Sequence, residues 1–370
     1  MNKINYYVAL VGFYQIKKSY SGASEVSSSL FDSIKCKKKK IFEIKNSNIQ
    51  FHSKKLNYIF NSFIFKPLKI IILIFEICNF LKNKKNKLVI IEGCSWIGYS
   101  YFSLKMLRIL FKDIQIIYHG HNIEYEIRQL KNNKIISHLT KFLEKKVYLQ
   151  SDYATVVSKY DQKKIKKLYN LNSIIFKNGI SKNRLKIKKT VNFKIKNYII
   201  FSGNYFYLPN QIAIETLVYK ILPLINKRFG KVKLVVTGTD LPEHIANDDK
   251  IIFMPKLKKT MLNYLIKKSI CTILPLTNSP GTKLKVIESL MLGNPIIASK
   301  HSFKGIEIKL ENPPFIYKKI NSIVSIVNKL IKNNIYRKKA LKRSFFYKKE
   351  YKMENIVKKF FNEKFKINVL

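Results

Sequence analysis

Short runs of β-branched and aliphatic residues alternate along the chain with longer stretches whose apolar positions recur every three or four residues. The short runs predict strands at Ile4–Leu10, Leu88–Ile91, Ile114–Tyr118, Ala154–Val157, Ser173–Phe176, Tyr198–Phe201, Val232–Val236, Ile251–Phe253, Cys271–Leu274 and Pro295–Ala298. The longer stretches predict helices at Tyr99–Phe111, Ile127–Tyr148, Pro209–Lys227, Leu257–Lys268, Lys283–Leu292 and Ile320–Ile331. Strand and helix taking turns in this way predict parallel sheets covered on both faces. Between Ile180 and Asn197 the alternation lapses into the basic stretch SKNRLKIKKTVNFKIKN, and nine of the ten prolines lie after residue 208. The chain therefore divides into a first domain at 1–180, a linker at 181–197, a second domain at 198–350 and a C-terminal segment at 351–370.

Composition agrees with two domains: 370 residues, 46% of them hydrophobic, suffice for two packed cores. Lys plus Arg outnumber Asp plus Glu by 71 to 22, a formal charge of +49. Such an excess raises the idea of a non-enzymatic protein that binds nucleic acid or an anionic membrane, with a steep salt dependence of DNA binding as its signature. The lysines are spread along the chain among many Ile and Asn, so the charge reads as compositional rather than as a nucleic-acid face. One basic and apolar juxtaposition stands out: Lys37–Lys40 and Lys82–Lys87 flank segments containing Ile70–Phe75, a pattern that suits an anionic membrane surface. The stretch Phe63 to Leu81 is broken by Lys66, Pro67, Lys69 and Glu76, too soon for a membrane span. The N-terminus reads as a strand rather than a signal peptide. Cys36, Cys78, Cys94 and Cys271 lie far apart, which suits a reducing cytoplasm and suggests neither a disulfide frame nor a zinc module.

Glycines mark candidate binding edges. Gly12, Gly93, Gly120, Gly179, Gly203 and Gly238 each follow a predicted strand, where doubly wound sheets bind ligands. The strongest local cluster runs from Leu274 to Pro295. In it Gly281 permits close backbone approach, Thr282 is a plausible N-cap, and Lys283 and Lys285 fall in the first turn of a helix. Two cations there oppose the helix dipole, a conflict that an anion bound at the helix N-terminus would remove. Glu288, one turn after Lys285, could accept hydrogen bonds from sugar hydroxyls, and a surface Lys285–Glu288 salt bridge is the plainer alternative. A second cluster sets His119 and His121 around Gly120, with Asn122 and Glu124 following. An extended backbone aims both rings to one side, for polar contacts or proton transfer. Surface histidines and a metal site are the alternatives, the latter lacking a nearby Cys or Asp.

The stretch Leu88–Gly98, LVIIEGCSWIG, misses the serine-hydrolase elbow because Gly93 and Gly98 are five apart around Ser95. Neither G-x-G-x-x-G nor G-x-x-x-x-G-K-[ST] occurs, so dinucleotide enzymes and P-loop NTPases lack their backbone.

In their order and spacing these residues resemble the retaining glycosyltransferases of family 4, the glycosyl transferases group 1. Ser21-Gly22-Ala23-Ser24-Glu25 is similar to the family's small-residue loop, His121-Asn122-Ile123-Glu124 to its acceptor-side histidine motif, and Ser151 through Ser158 to its "AD-x-V-x-x-VS" strand. Lys177-Asn178-Gly179-Ile180 resembles the close of its first domain, and Phe201-Ser-Gly203-Asn204 through Pro209-Asn210 the opening of its donor domain. Gly281 through Glu288, Gly293-Asn-Pro295 and Gly305-Ile306 match most closely. Pro280 stands where many members carry a second glutamate, Ser181 where an aspartate is usual, and Asn204 lies near the place of an absent arginine.

The resemblance implies an α/β protein of GT-B architecture, two Rossmann-like doubly wound domains facing a cleft, with a C-terminal helix, Met353–Phe365, returning to the first domain. It implies transfer of a sugar, with retention, from a nucleotide-diphosphate sugar to a glycan or lipid-linked acceptor, as in cell-surface polysaccharide synthesis. In that reading the donor side comprises Gly203, Asn204, Lys256, Gly281, Thr282, Lys283, Lys285 and Glu288. His119 and His121 would contact the transferred sugar or acceptor, and Gly22, Asn122 and Glu124 would lie on the acceptor side. The diphosphate would need neither metal nor cofactor, and the enzyme would work in the cytoplasm or at the cytoplasmic face of a membrane.

Overall fold

The computed structural model describes residues 4–16, 21–44, 65–129, 134–187, 193–255, 257–277, 281–309 and 313–365. The chain forms two compact units, one of residues 1–178 with 356–370, the other of residues 179–355. Each is built on a six-stranded sheet.

In the first unit the strands β1 (Ile4–Gly12), β2 (Cys36–Glu43), β3 (Lys87–Gly93), β4 (Ile114–Gly120), β5 (Tyr153–Val156) and β6 (Ile174–Ile175) pair in the order β2-β1-β3-β4-β5-β6. All neighbours are parallel. Every residue of β3 is buried, as expected of a central strand covered on both faces. The core joins Val89 and Ile91 of β3 and Ile116 of β4 to Leu104 and Leu107 of the helix Ile97–Leu110. Residues 356–365 belong to this unit: Phe360 stacks on Phe176 at 4.4 Å between ring centres, and the Tyr153 hydroxyl donates to the Lys364 carbonyl at 3.1 Å.

In the second unit β7 (Tyr198–Ser202), β8 (Lys233–Gly238), β9 (Ile251–Pro255), β10 (Thr272–Leu274), β11 (Ile296–Ala298) and β12 (Phe315–Ile316) pair in the order β12-β11-β10-β7-β8-β9, again all parallel. Two α/β units of parallel strands and covering helices agree with the fold class read from the sequence.

Several elements differ from expectation. The described residues of the segment 181–197 pack with the second unit: Lys182–Leu185 form a 3-10 turn, and Leu185, Ile187, Phe193 and Ile195 pack on its core. Asn263 anchors the segment by donating to the carbonyls of Arg184, at 2.7 Å, and Lys186, at 2.9 Å. The apolar residues escaped notice because irregular spacing gives no period. The run Lys37–Lys40, where no strand was expected, is half of β2, at the sheet edge, where exposed side chains can be charged. The predicted helix over 209–227 is three pieces, Leu208–Thr216, a π turn at Leu217–Ile221 and Leu222–Phe229. Pro223 cannot donate to the turn before it, and the wider turn accommodates that loss. The region 127–148 holds two helices, Glu124–Gln129 and Lys134–Gln150.

Candidate functional site

In the second unit β7 and β8 end side by side in Gly203 and Gly238. The Gly203 amide donates to the Thr237 carbonyl at 2.8 Å. A Cβ on Gly238, at φ +144°, would fall 2.4 Å from the Gly203 carbonyl oxygen, so only glycine lets the two loops meet. A Cβ on Gly203 would intrude on Lys285 Nζ at 2.8 Å and Asn210 Nδ2 at 2.7 Å. Its absent side chain thus leaves room for a lysine and an amide.

Lys285 lies in the first turn of the helix Leu284–Met291. Its ammonium donates to Asn210 Oδ1 at 2.8 Å and sits 4.5 Å over the Phe201 ring, while Asn210 Nδ2 donates to the Asn204 carbonyl at 2.9 Å. Burial pushes the Lys285 pKa down to about 8, with the Glu288 carboxylate pulling it partly back and Lys283 lowering it further. Thr282 does not cap this helix. The helix starts after Lys283, no side chain caps it, and Thr282 Oγ1 is buried without a hydrogen-bond partner. Lys283 bends back to donate to the Gly281 carbonyl. Glu288 is buried, and the cation bonded to it is Lys259 of the helix Lys259–Lys268, not Lys285. Lys256 lies outside the described residues.

The first unit gathers a second polar group at the ends of β3 and β4. Glu92 and His119 are register partners, and Glu92 is fully buried. Its Oε1 meets His119 Nδ1 at 3.2 Å and its Oε2 meets His121 Nε2 at 2.8 Å. Ser27, from the helix Gly22–Ser33, also donates to Oε2, and the Tyr14 hydroxyl bonds Ser27 Oγ at 2.6 Å. Burial alone would raise the Glu92 pKa, but the two imidazoles outweigh it and hold the carboxyl far below the usual range. Burial, then His119, lowers the pKa of His121 against the pull of Glu92.

The two rings do lie on one side, 4.3 Å apart, yet they are not equivalent. His119 has no exposure and its other nitrogen is taken by the Phe176 carbonyl at 3.2 Å, so it fixes the group from within. The His121 side chain keeps 6% exposure and is the one that reaches the surface. Asn122 is half-buried beside it. Glu124 turns to Arg128 at 3.1 Å, while its amide donates to Glu144. Gly22 is the exposed first residue of its helix, whose cap is Ser21.

Sequence reasoning missed Glu92, Asn210 and Ser27. An acid closing an otherwise apolar strand was the available signal for Glu92, and Asn210 ended the stretch that resembles the donor domain's opening; nothing in the sequence marked Ser27. It also rejected a metal for want of a nearby cysteine. The fold supplies one, since ligand atoms of Glu92, Cys94 and His121 lie within 4.8 Å of one another, and they form the one such group among the described residues. Burial first, and then the Glu92 charge, push the Cys94 thiol pKa well up, so the sulfur is a protonated thiol.

Two Rossmann-like units of parallel strands define a GT-B-type fold, and solved structures agree over the whole chain. Sucrose-phosphate synthase from Thermosynechococcus elongatus superposes with a TM-score of 0.69 at 13% identity, over 97% of this chain and 98% of that one. Anabaena HepE in complex with UDP-glucose gives 0.67 at 9% identity, over 98% and 100%. The N-terminal domain of Candida albicans trehalose-6-phosphate phosphatase gives 0.59 at 11% identity, over 97% and 96%. Residues 196–333, all within the second unit, match the family model described as glycosyl transferases group 1. No curated protein sequence matches the chain.

Proposed function

We propose that the protein is a retaining glycosyltransferase that takes a sugar from a nucleoside-diphosphate sugar, with UDP as the first nucleotide to test. The observation that carries this reading is Lys285. Its half-buried ammonium is bonded to a neutral amide and sits over an aromatic ring, while the neighbouring carboxylate, Glu288, is bonded by Lys259 instead. A diphosphate beside it would supply an anion, and the uncapped turn at Leu284 would present backbone N–H groups to the same charge.

As the bond between the sugar and the diphosphate breaks, negative charge grows on the departing phosphate. Lys285 and the helix terminus are positive charge already in place to stabilise it. Gly203 and Asn204 would border the diphosphate, Glu288 would accept from the ribose, and Lys259 would hold Glu288 ionised and oriented. In the first unit His121 would contact the sugar or acceptor, with Glu92 and His119 fixing its ring. The HepE structures that superpose on this chain hold UDP and UDP-glucose, which supports the donor class. A glycan or lipid-linked acceptor hydroxyl, in cell-surface polysaccharide synthesis, completes the reading.

The test is a thermal-shift panel of UDP-, GDP- and ADP-sugars. A ligand present at 100 times its dissociation constant adds about 2.7 kcal/mol of stability, a shift of several degrees. One nucleotide should shift the melt and Lys285→Ala should abolish the shift. No stabilisation by any of them at millimolar concentration would sink the reading.

A further inference from the structure

The first unit carries apolar side chains that its own packing does not use. The helix Lys66–Leu81 buries Ile70, Leu73, Ile74, Ile77 and Leu81. Its other side is apolar too, with Leu68 53%, Ile72 60% and Phe75 64% exposed. A surface helix of a soluble protein ordinarily turns polar residues outward. The helix Ile97–Leu110 packs beside it and exposes Ile109 at 74%. The helix Lys134–Gln150 packs beside that one in turn and exposes Ile135 at 82% and Phe142 at 56%. These helices make the successive crossovers β2 to β3, β3 to β4 and β4 to β5, all running the same way across the sheet, the first of them stepping over β1. Right-handed crossovers in one direction set all three on one sheet face. Apolar side chains scattered singly are ordinary, whereas an aligned set on three neighbouring helices marks an interaction surface.

The charge on the same helices says what covers it. They carry seven lysines, Lys66, Lys69, Lys105, Lys134, Lys141, Lys145 and Lys146, besides Arg108, which Asp152 holds, against two acids, and of those Glu144 is buried under the face. A second copy of this chain would set these cations against themselves. We infer that this face docks on an anionic lipid surface, its apolar side chains entering the headgroup boundary and its lysines meeting lipid phosphates. No helix among the described residues is long and apolar enough to cross a membrane, so the protein would lie on the bilayer. The residues differ from those the sequence pointed to: Ile70, Leu73 and Ile74 face the core, and the basic partners are on the helices rather than on Lys37–Lys40.

This inference uses the first unit alone and stands apart from the nucleotide reading. Flotation of the full chain would be measured with vesicles of phosphatidylcholine alone and of phosphatidylcholine mixed with phosphatidylglycerol. Recovery with the mixed vesicles only is expected. The variant Ile72→Ser/Phe75→Ser/Phe142→Ser keeps every charge and should bind the mixed vesicles about tenfold more weakly, while Ile335→Ser, a control in the second unit, binds like the parent. Should the triple variant melt early, Lys105→Gln/Lys141→Gln/Lys145→Gln gives the same loss by removing charge. Undiminished binding by both variants, equal recovery on neutral vesicles, or a self-association in sedimentation velocity that the serine substitutions abolish would each overturn the inference.

Discussion

At the scale of residues, the proposed chemistry of the second unit rests on Lys285. Removing its ammonium should lower transfer by about 100-fold or more, because the charge it meets exists fully only as the leaving group departs. Glu288→Ala should be comparably impaired, through loss of its own contact and through release of Lys259. Steady-state rates of the two purified variants, each with a parent-like melting temperature, check this; parent-like rates would remove both from the site. The pKa of about 8 adds a pH dependence. The free protein loses its Lys285 proton as pH rises through that value, and a bound diphosphate favours the charged form. Nucleotide affinity should therefore decline above about pH 8 in the parent and stay level there in Lys285→Ala, as titration calorimetry would show.

At the scale of elements, Glu144 ties three helices together. From Lys134–Gln150 it accepts the amides of Glu124 at 2.8 Å and Tyr125 at 3.2 Å, at the start of Glu124–Gln129, and the hydroxyl of Tyr169 at 2.6 Å, from Lys159–Tyr169. Burial raises its pKa to about 7 in spite of these donors. A carboxyl whose folded pKa exceeds its unfolded value lends stability that is fully present below the unfolded pKa, near 4.5, and is lost as pH rises through 7. Glu144→Gln keeps an acceptor for the helix and removes the titration. The parent should thus lose stability relative to Glu144→Gln between about pH 5 and pH 9, by on the order of 3 kcal/mol at most. Melting curves at the two ends of that range that move in parallel would refute it.

Elements also show what the sequence could tell. The central strands were legible because burial on both faces leaves uninterrupted aliphatic runs, as in β3 and β4. The edge strand β2 was not, since Lys37–Lys40 occupy a margin where the sheet tolerates charge. Of the site, His121, Lys285 and Gly203 stood out as rare or misplaced residue types. Asn210 and Ser27 did not: an amide and a serine acquire roles only when a lysine seventy-five residues away, or a carboxylate at a strand end sixty-five residues away, is brought against them.

At the scale of the whole molecule, the proposed transfer requires something to neutralise a departing diphosphate, and the candidates are a divalent cation and the chain's own positive charge. The seven aspartates include no D-x-D pair, the usual seat of such an ion in glycosyltransferases of the other large fold. The one trio of suitable ligand atoms among the described residues, Glu92, Cys94 and His121, belongs to the first unit, whereas the residues matching the glycosyl transferases group 1 model lie at 196–333. Glu92 already accepts from Ser27, His119 and His121, so an ion would have to displace those bonds and take the proton from the Cys94 thiol as well. Lys285 and the turn at Leu284 offer the phosphates fixed charge without either cost. Transfer should therefore proceed undiminished in excess EDTA once a donor is known. Loss of activity in EDTA, restored by Mn²⁺ or Zn²⁺ in the parent and not in Cys94→Ser, would refute metal-free transfer and assign the ion to the trio.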